Sequence, residues 1–129
     1  MEAVADASAI LAVVLDEPER ASIVQGTVGV SLVAPEVLPF EIGNALIAME
    51  KRGRVEREAV QEVWRAAGRI AVKLLSVDIE AALSLALVTG TYAYDAYYLQ
   101  CALSQNRPLV ALDRKMRAAA NQLGIQLLN

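Results

Sequence analysis

The sequence contains no histidine and a single cysteine, Cys101. Without an imidazole there can be no serine-, cysteine- or ribonuclease-type mechanism that relies on histidine as general base. One cysteine cannot form an internal disulfide, and the two absences together remove the usual zinc ligands, so a zinc finger is excluded. Positive charge is also in short supply. Twelve Lys and Arg face fifteen Asp and Glu, giving a net charge of -3 and a pI near 4.9, which argues against a broad basic face for gripping nucleic acid. The longest uninterrupted apolar run, Ala9 to Leu15, falls far short of the roughly 20 residues that span a bilayer. The first residues lack the basic start of a signal peptide. The expectation is a cytoplasmic protein without membrane association.

If the chain acts chemically, carboxylates must carry the work. Its 129 residues fit one domain spanning 1–129, long enough to bury about two-thirds of the unfolded surface without disulfides or a structural metal. Hydrophobic residues make up 56% and the mean hydropathy is +0.38. That surplus predicts apolar surface left for a partner, either a second copy in a homodimer or a binding protein that covers a groove.

Strand and helix signals alternate. Glu2 to Asp6 reads as a short buried strand delivering Asp6 at its end, and a helix from Ser8 to Leu15 stops before Pro18. Pro18 suits the first turn of a second helix ending near Gly26, and the β-branched run Val28 to Val33 predicts a strand closed by Pro35. Helical spacing follows over Phe40 to Arg52, with Gly53 as its stop, and over Arg57 to Ile70, with Val60, Val63, Trp64 and Ala67 as its apolar stripe. Val72 to Val77 predicts a third strand. Asp78 caps a helix ending near Gly90, and Asp95 opens one that turns Leu99, Ala102 and Leu103 inward. Leu109 to Leu112 is a fourth strand ending at Asp113, Arg114 to Leu123 the last helix, and Ile125 to Leu128 a possible edge strand. The alternation predicts a three-layer α/β/α domain around a mostly parallel sheet of four to five strands.

In such a sheet the loops after the strands' C-terminal ends share one edge, and ligands bind there where the strand order reverses. Asp6 and Asp113 fall at that edge, and Asp95 and Glu41 each open a helix that can project from the same side. Taken singly, each aspartate reads as an ordinary helix N-cap and Glu41 as a solvated first-turn acid. Taken together, four acids at the same end of α/β units would repel one another unless a cation joins them. An all-oxygen donor set favours Mg²⁺ or Mn²⁺. Such an ion can polarise a phosphate and activate water, so phosphodiester hydrolysis follows. Composition and spacing alone reach no further than an acidic cation pocket.

Four segments, Val4-Ala-Asp6-Ala-Ser8, Glu41-Ile-Gly-Asn44-Ala-Leu46, Tyr94-Asp95-Ala-Tyr97-Tyr-Leu99 and Leu109-Val-Ala-Leu-Asp113, resemble in order and spacing the PIN domains, and within them the VapC toxins of bacterial and archaeal toxin–antitoxin pairs. The resemblance covers nearly the whole chain. It implies a Mg²⁺- or Mn²⁺-dependent endoribonuclease acting on RNA and silenced by a VapB-like antitoxin. Asp6, Glu41 and Asp95 match the family's central acids and Asp113 its fourth, while Ser8 and Asn44 match positions that support the site by hydrogen bonding. One departure is Ala111, where the family often has Thr or Ser two residues before the last acid.

Around these acids, Arg114 and Lys115 are candidate RNA-phosphate contacts, since cations at a helix start oppose its dipole and need another reason to be there. Arg117 follows them. For Lys51 and Arg52 the dipole reading is better. Tyr94 and Tyr97 flank Asp95 and could stack on a base, although half-buried core or dimer contacts are the preferred reading. Cys101 reads as a packed thiol and Trp64 as core or interface. Two rivals remain: a non-catalytic PIN-like module that binds a cation or a partner, and a phosphoacceptor receiver domain, which would want a lysine where Asp113 stands.

Overall fold

The apolar runs pair side by side, all parallel. The computed structural model describes residues 1–129 and gives β1 (Glu2–Ala5), α1 (Ala7–Val14), α2 (Arg20–Gly26), β2 (Ser31–Pro35), α3 (Leu38–Lys51), α4 (Val60–Gly68), β3 (Val72–Leu75), α5 (Ile79–Thr89), α6 (Ala93–Gln105), β4 (Leu109–Val110) and α7 (Arg114–Gln122). The sheet order is β3-β2-β1-β4. Val4 lies opposite Val33 on one side and Leu109 on the other, so β1 is flanked on both edges. From β1 the chain moves outward to β2 and β3, then returns to the far side of β1 as β4. Right-handed crossovers taken in opposite directions place helices on opposite faces of a sheet. Correspondingly, α1 to α4 pack among themselves, while α6 packs against β1, β2, α5 and α7. The reversal leaves a crevice beyond the C-terminal ends of β1 and β4, where Asp6 and Asp113 follow.

Several boundaries differ from those expected. β2 begins at Ser31 rather than Val28, because Gly29 adopts a left-handed φ of 72° and Val30 closes a turn onto Thr27. α3 starts at Leu38, with Pro39 in its first turn where the missing N–H is not needed. The stretch expected as a helix from Arg57 opens as a 3-10 turn, Arg57–Ala59, before α4. β3 ends at Leu75, and β4 ends at Val110. Beyond Val110 the backbone groups are taken elsewhere: Ala111 bonds the Asn129 side chain and the Leu112 N–H donates to Ser8 Oγ. The expected edge strand at Ile125 to Leu128 is reduced to one parallel bridge, Leu109 to Leu127. Leu103 is 39% exposed rather than turned inward, and Trp64, at 42% exposed, is not core, which leaves the interface alternative.

Thirteen of the 31 buried residues are alanine. Small side chains let backbones approach closely but contribute little apolar area each, so contact between backbones has to be well fitted. Gly26 is the sharpest case. A Cβ there would run into the Leu128 carbonyl oxygen, because the last turn of α2 carries the segment that pairs with β4. Gly43, inside α3, has open space around it. Gly26→Ala is therefore expected to destabilise the protein by about 1–3 kcal/mol, and Gly43→Ala to stabilise it by about 0.5–1 kcal/mol. Urea unfolding midpoints of the two variants should move in opposite directions.

Candidate metal centre

Asp6 ends β1 and caps α1. Its Oδ1 accepts from the Ala9 N–H at 2.9 Å and from the Ser8 hydroxyl at 2.8 Å. It is 4% exposed, the one buried charged residue of the chain. Ser8 reaches further: its Oγ also accepts from the Leu112 N–H at 3.3 Å, tying the loop that carries Asp113 to the end of β1. Asp113 caps α7 through Oδ2, which accepts from the Met116 N–H at 2.9 Å. Both residues are N-caps and line the same cavity. Asp95 is not a cap. α6 starts two residues earlier than expected, at Ala93, which puts Asp95 at its third position with no capping bond and the carboxylate in the first turn. Glu41 lies in the first turn of α3.

All four acids line one cavity of about 390 Å³, with Ser8 and Asn44 among the other lining residues. Arg114 and Lys115 are exposed beside it. Lys115 acts on Asp95 through its charge. Arg117 is occupied: its guanidinium donates to the Ala111 carbonyl at 2.8 Å and the Asn129 carbonyl at 2.9 Å. Ala111 itself is wholly enclosed, and its backbone is held by Asn129. Cys101 packs in the core, where burial pushes its thiol up to about 11 and leaves it inert.

Tyr98 is the lining residue that sequence reasoning passed over. It stands three residues after Asp95, on the same helical face, and that spacing was the available signal. Its hydroxyl is buried without a hydrogen-bond partner, and so is Glu41 Oε1. The two influence one another electrostatically but stop short of a hydrogen bond. Burial, and then the charge of Glu41, holds the Tyr98 hydroxyl far above the usual range, so it remains a proton donor.

Burial dominates the acids as well. It lifts Asp6 from 3.8 to about 6, opposed by the bonds from Ala9 and Ser8 and reinforced by the charges of Asp95 and Asp113. Glu41 rises from 4.5 to about 7 through burial, opposed by the nearby Tyr98 hydroxyl and reinforced by Asp6 and Asp95. Asp95 is raised by burial and by Asp113. These carboxylates are held in a setting that disfavours their own charge, and one buried oxygen of Glu41 has no donor. The set consists of oxygen ligands only, which fits a hard divalent cation. No three acids close on one another into a ready cage. Mg²⁺ does not require one, since it keeps several waters and takes one or two carboxylates directly.

A carboxyl whose folded-state pKa is raised binds its proton more tightly in the folded protein, so stability falls as pH rises from the unfolded value to the folded one. For Asp6 and Glu41 that window runs from about 4 to about 7. Metal-free protein should therefore melt at lower temperature at pH 7.5 than at pH 5. Asn caps a helix as well as Asp does, so Asp6→Asn should be more stable than the parent by about 1–3 kcal/mol at pH 7.5 in a chelator. Added Mg²⁺ should raise the parent's melting temperature and leave that of Asp6→Asn almost unmoved.

No curated protein matches the sequence. Among solved structures the chain is similar to the one described as "Crystal structure of PAE2754 from Pyrobaculum aerophilum", at 25% identity and a TM-score of 0.73, over 99% of this chain and 84% of that chain. The sequence model of the PIN domain matches residues 3–122. That match runs from within β1 to the end of α7, and the chain belongs to the PIN domain family.

Proposed function

We propose that this protein is a Mg²⁺- or Mn²⁺-dependent endoribonuclease and the toxin of a VapBC-type toxin–antitoxin pair. PIN domains are commonly metal-dependent nucleases. The observation that carries the reading to this chain is the meeting of Asp6, Glu41, Asp95 and Asp113 in one cavity with Ser8 and Asn44. The four motifs that resemble VapC toxins supply the substrate class and the antitoxin partner.

In this reading Asp6, Glu41 and Asp95 present oxygens to the cation, and Asp113 completes the acidic wall. The bound cation would supply the positive charge that offsets the phosphate and the attacking water. Ser8 keeps Asp6 oriented and fixes its distance from the Asp113 loop. Asn44 offers an amide at the mouth of the cavity, and Arg114 and Lys115 meet flanking phosphates, whose neutralisation supplies sequence-independent affinity. Tyr98 offers its hydroxyl proton toward Glu41 or a water beside it. The reading places the protein in the cytoplasm, where its RNA substrate is. None of its helices is long and apolar enough to cross a membrane.

The reading includes a homodimer. α5 bears a single charged residue, Glu80, and exposes Leu83 and, at 87%, Leu87 one turn further on. A helix apolar on nearly every side is ordinarily buried, and an uncharged stripe can pack on its own copy. The rival reading, a PIN-like module that binds a cation without cutting, draws on the open spacing of the acids.

Purified protein should cut single-stranded RNA with Mg²⁺ or Mn²⁺ and stop in a chelator. Asp95→Asn should fall to background, and Ser8→Ala should lose roughly 10- to 100-fold, as for loss of a ligand-orienting partner. Equal cutting by the parent and Asp95→Asn sinks the ribonuclease reading. Calorimetric Mg²⁺ binding with no turnover on any RNA favours the module. Light scattering should give a dimer for the parent and a monomer for Leu87→Glu.

A further inference from the structure

Aromatic side chains are rare in this chain, yet four of the six, Phe40, Tyr94, Tyr97 and Tyr98, line the acid cavity or the cavity next to it. That second cavity is about 320 Å³ and lies between the start of α3 and the end of β3. Its walls are mainly apolar, with Val37, Phe40, Val77 and Tyr97 among them, and Glu36 and Ser76 add polar groups. Two links join it to the acids. Phe40 forms part of both cavities, and it precedes Glu41 directly in sequence. Tyr94, in the first cavity, meets Tyr97, in the second, edge to face with ring centroids 5.9 Å apart at 87°.

Phe40 is 78% exposed. Its ring stands where the two cavities meet, with a face open to a ligand. Tyr94 is also exposed, but braced by Tyr97, which fixes its ring plane. Flat apolar walls with a few polar groups suit a ligand that has two π faces and a hydrogen-bonding rim, and the size falls at the lower end of the usual range for small-ligand pockets, about 300–1,000 Å³. We propose that this second cavity is a nucleobase subsite, in which an unpaired base of the RNA stacks on Phe40 while the neighbouring phosphate lies among the acids. The proposal rests on the ribonuclease reading and adds to it a pocket that holds one base beside the cut, which a base inside a duplex could not reach. Tyr94 faces the acid cavity, and the half-buried Tyr97, which lines the second, braces it.

The test uses short oligoribonucleotides with one abasic position walked along the strand. Base–aromatic stacking corresponds to roughly 5- to 150-fold per base. kcat/KM of the parent should drop by about that factor at one abasic position next to the cut. Phe40→Ala should lose the same factor on the intact strand and almost nothing more on the abasic one, while Phe40→Trp retains the discrimination. Phe40 is exposed, so truncation leaves the core in place, and a thermal melt checks this. A second readout needs no turnover: Asp95→Asn should quench 2-aminopurine placed at that position, and the added Phe40→Ala change should abolish the quenching. Cutting that ignores both the abasic site and Phe40→Ala overturns the subsite and leaves the nuclease intact. Phe40-dependent quenching without cutting overturns the nuclease and keeps the subsite. If Phe40→Ala cuts and quenches like the parent but escapes its protein inhibitor, the cavity belongs to that inhibitor and the base subsite is overturned.

Discussion

The arrangement depends on one carboxylate taken out of water. Asp6 stands at the end of a central strand whose neighbours in the sheet and above it are apolar, and ionising it there is unfavourable unless something answers the charge. Two partial answers are built in: the amide of Ala9, in the opening turn of α1, and the hydroxyl of Ser8. They fall short, since the carboxyl remains held above its ordinary range. Asp95 and Asp113 add negative charge instead of relieving it. The cavity is thus poised for a cation by what its walls lack.

Other parts of the fold can be seen as holding that tension in place. The Ser8 hydroxyl bridges two loops from opposite sides of the strand-order reversal. Asn129 and Arg117 then hold Ala111, so the position that lacks the family's hydroxyl is secured through its backbone. A missing side-chain contact at Ala111 is met by main-chain ones. An alanine-rich core supports this because it brings helices and strands close enough for such short reaches.

Much of this was legible in the sequence, and for a definable reason. Strand ends in a parallel sheet are marked by the switch from apolar run to polar residue, so Asp6 and Asp113 could be placed at one edge, and their neighbours' periodicity brought Glu41 and Asp95 to the same side. The parallel order of strands follows from the alternation with helices. What stayed hidden depends on packing rather than pattern. Nothing in the sequence separates an exposed Phe40 from a buried one, or shows that the Asn129 amide would stand in for a strand. Asp95 reads as a cap because capping is the common fate of an aspartate near a helix start, whereas the helix had already begun at Ala93. Leu103 and Trp64 fit an apolar stripe by spacing, yet they fall at its margin: Leu99, Ala102 and Ala67 are buried while these two are left partly exposed.

The distribution of rings has an optical consequence. Trp64, the single tryptophan, sits on α4 outside both cavities, whereas three of the four tyrosines line them. Indole emission therefore reports on the outer helical layer, and tyrosine absorbance and near-ultraviolet dichroism on the acid cleft. Unlabelled protein carries separate spectroscopic probes for its outer helices and for its cavities.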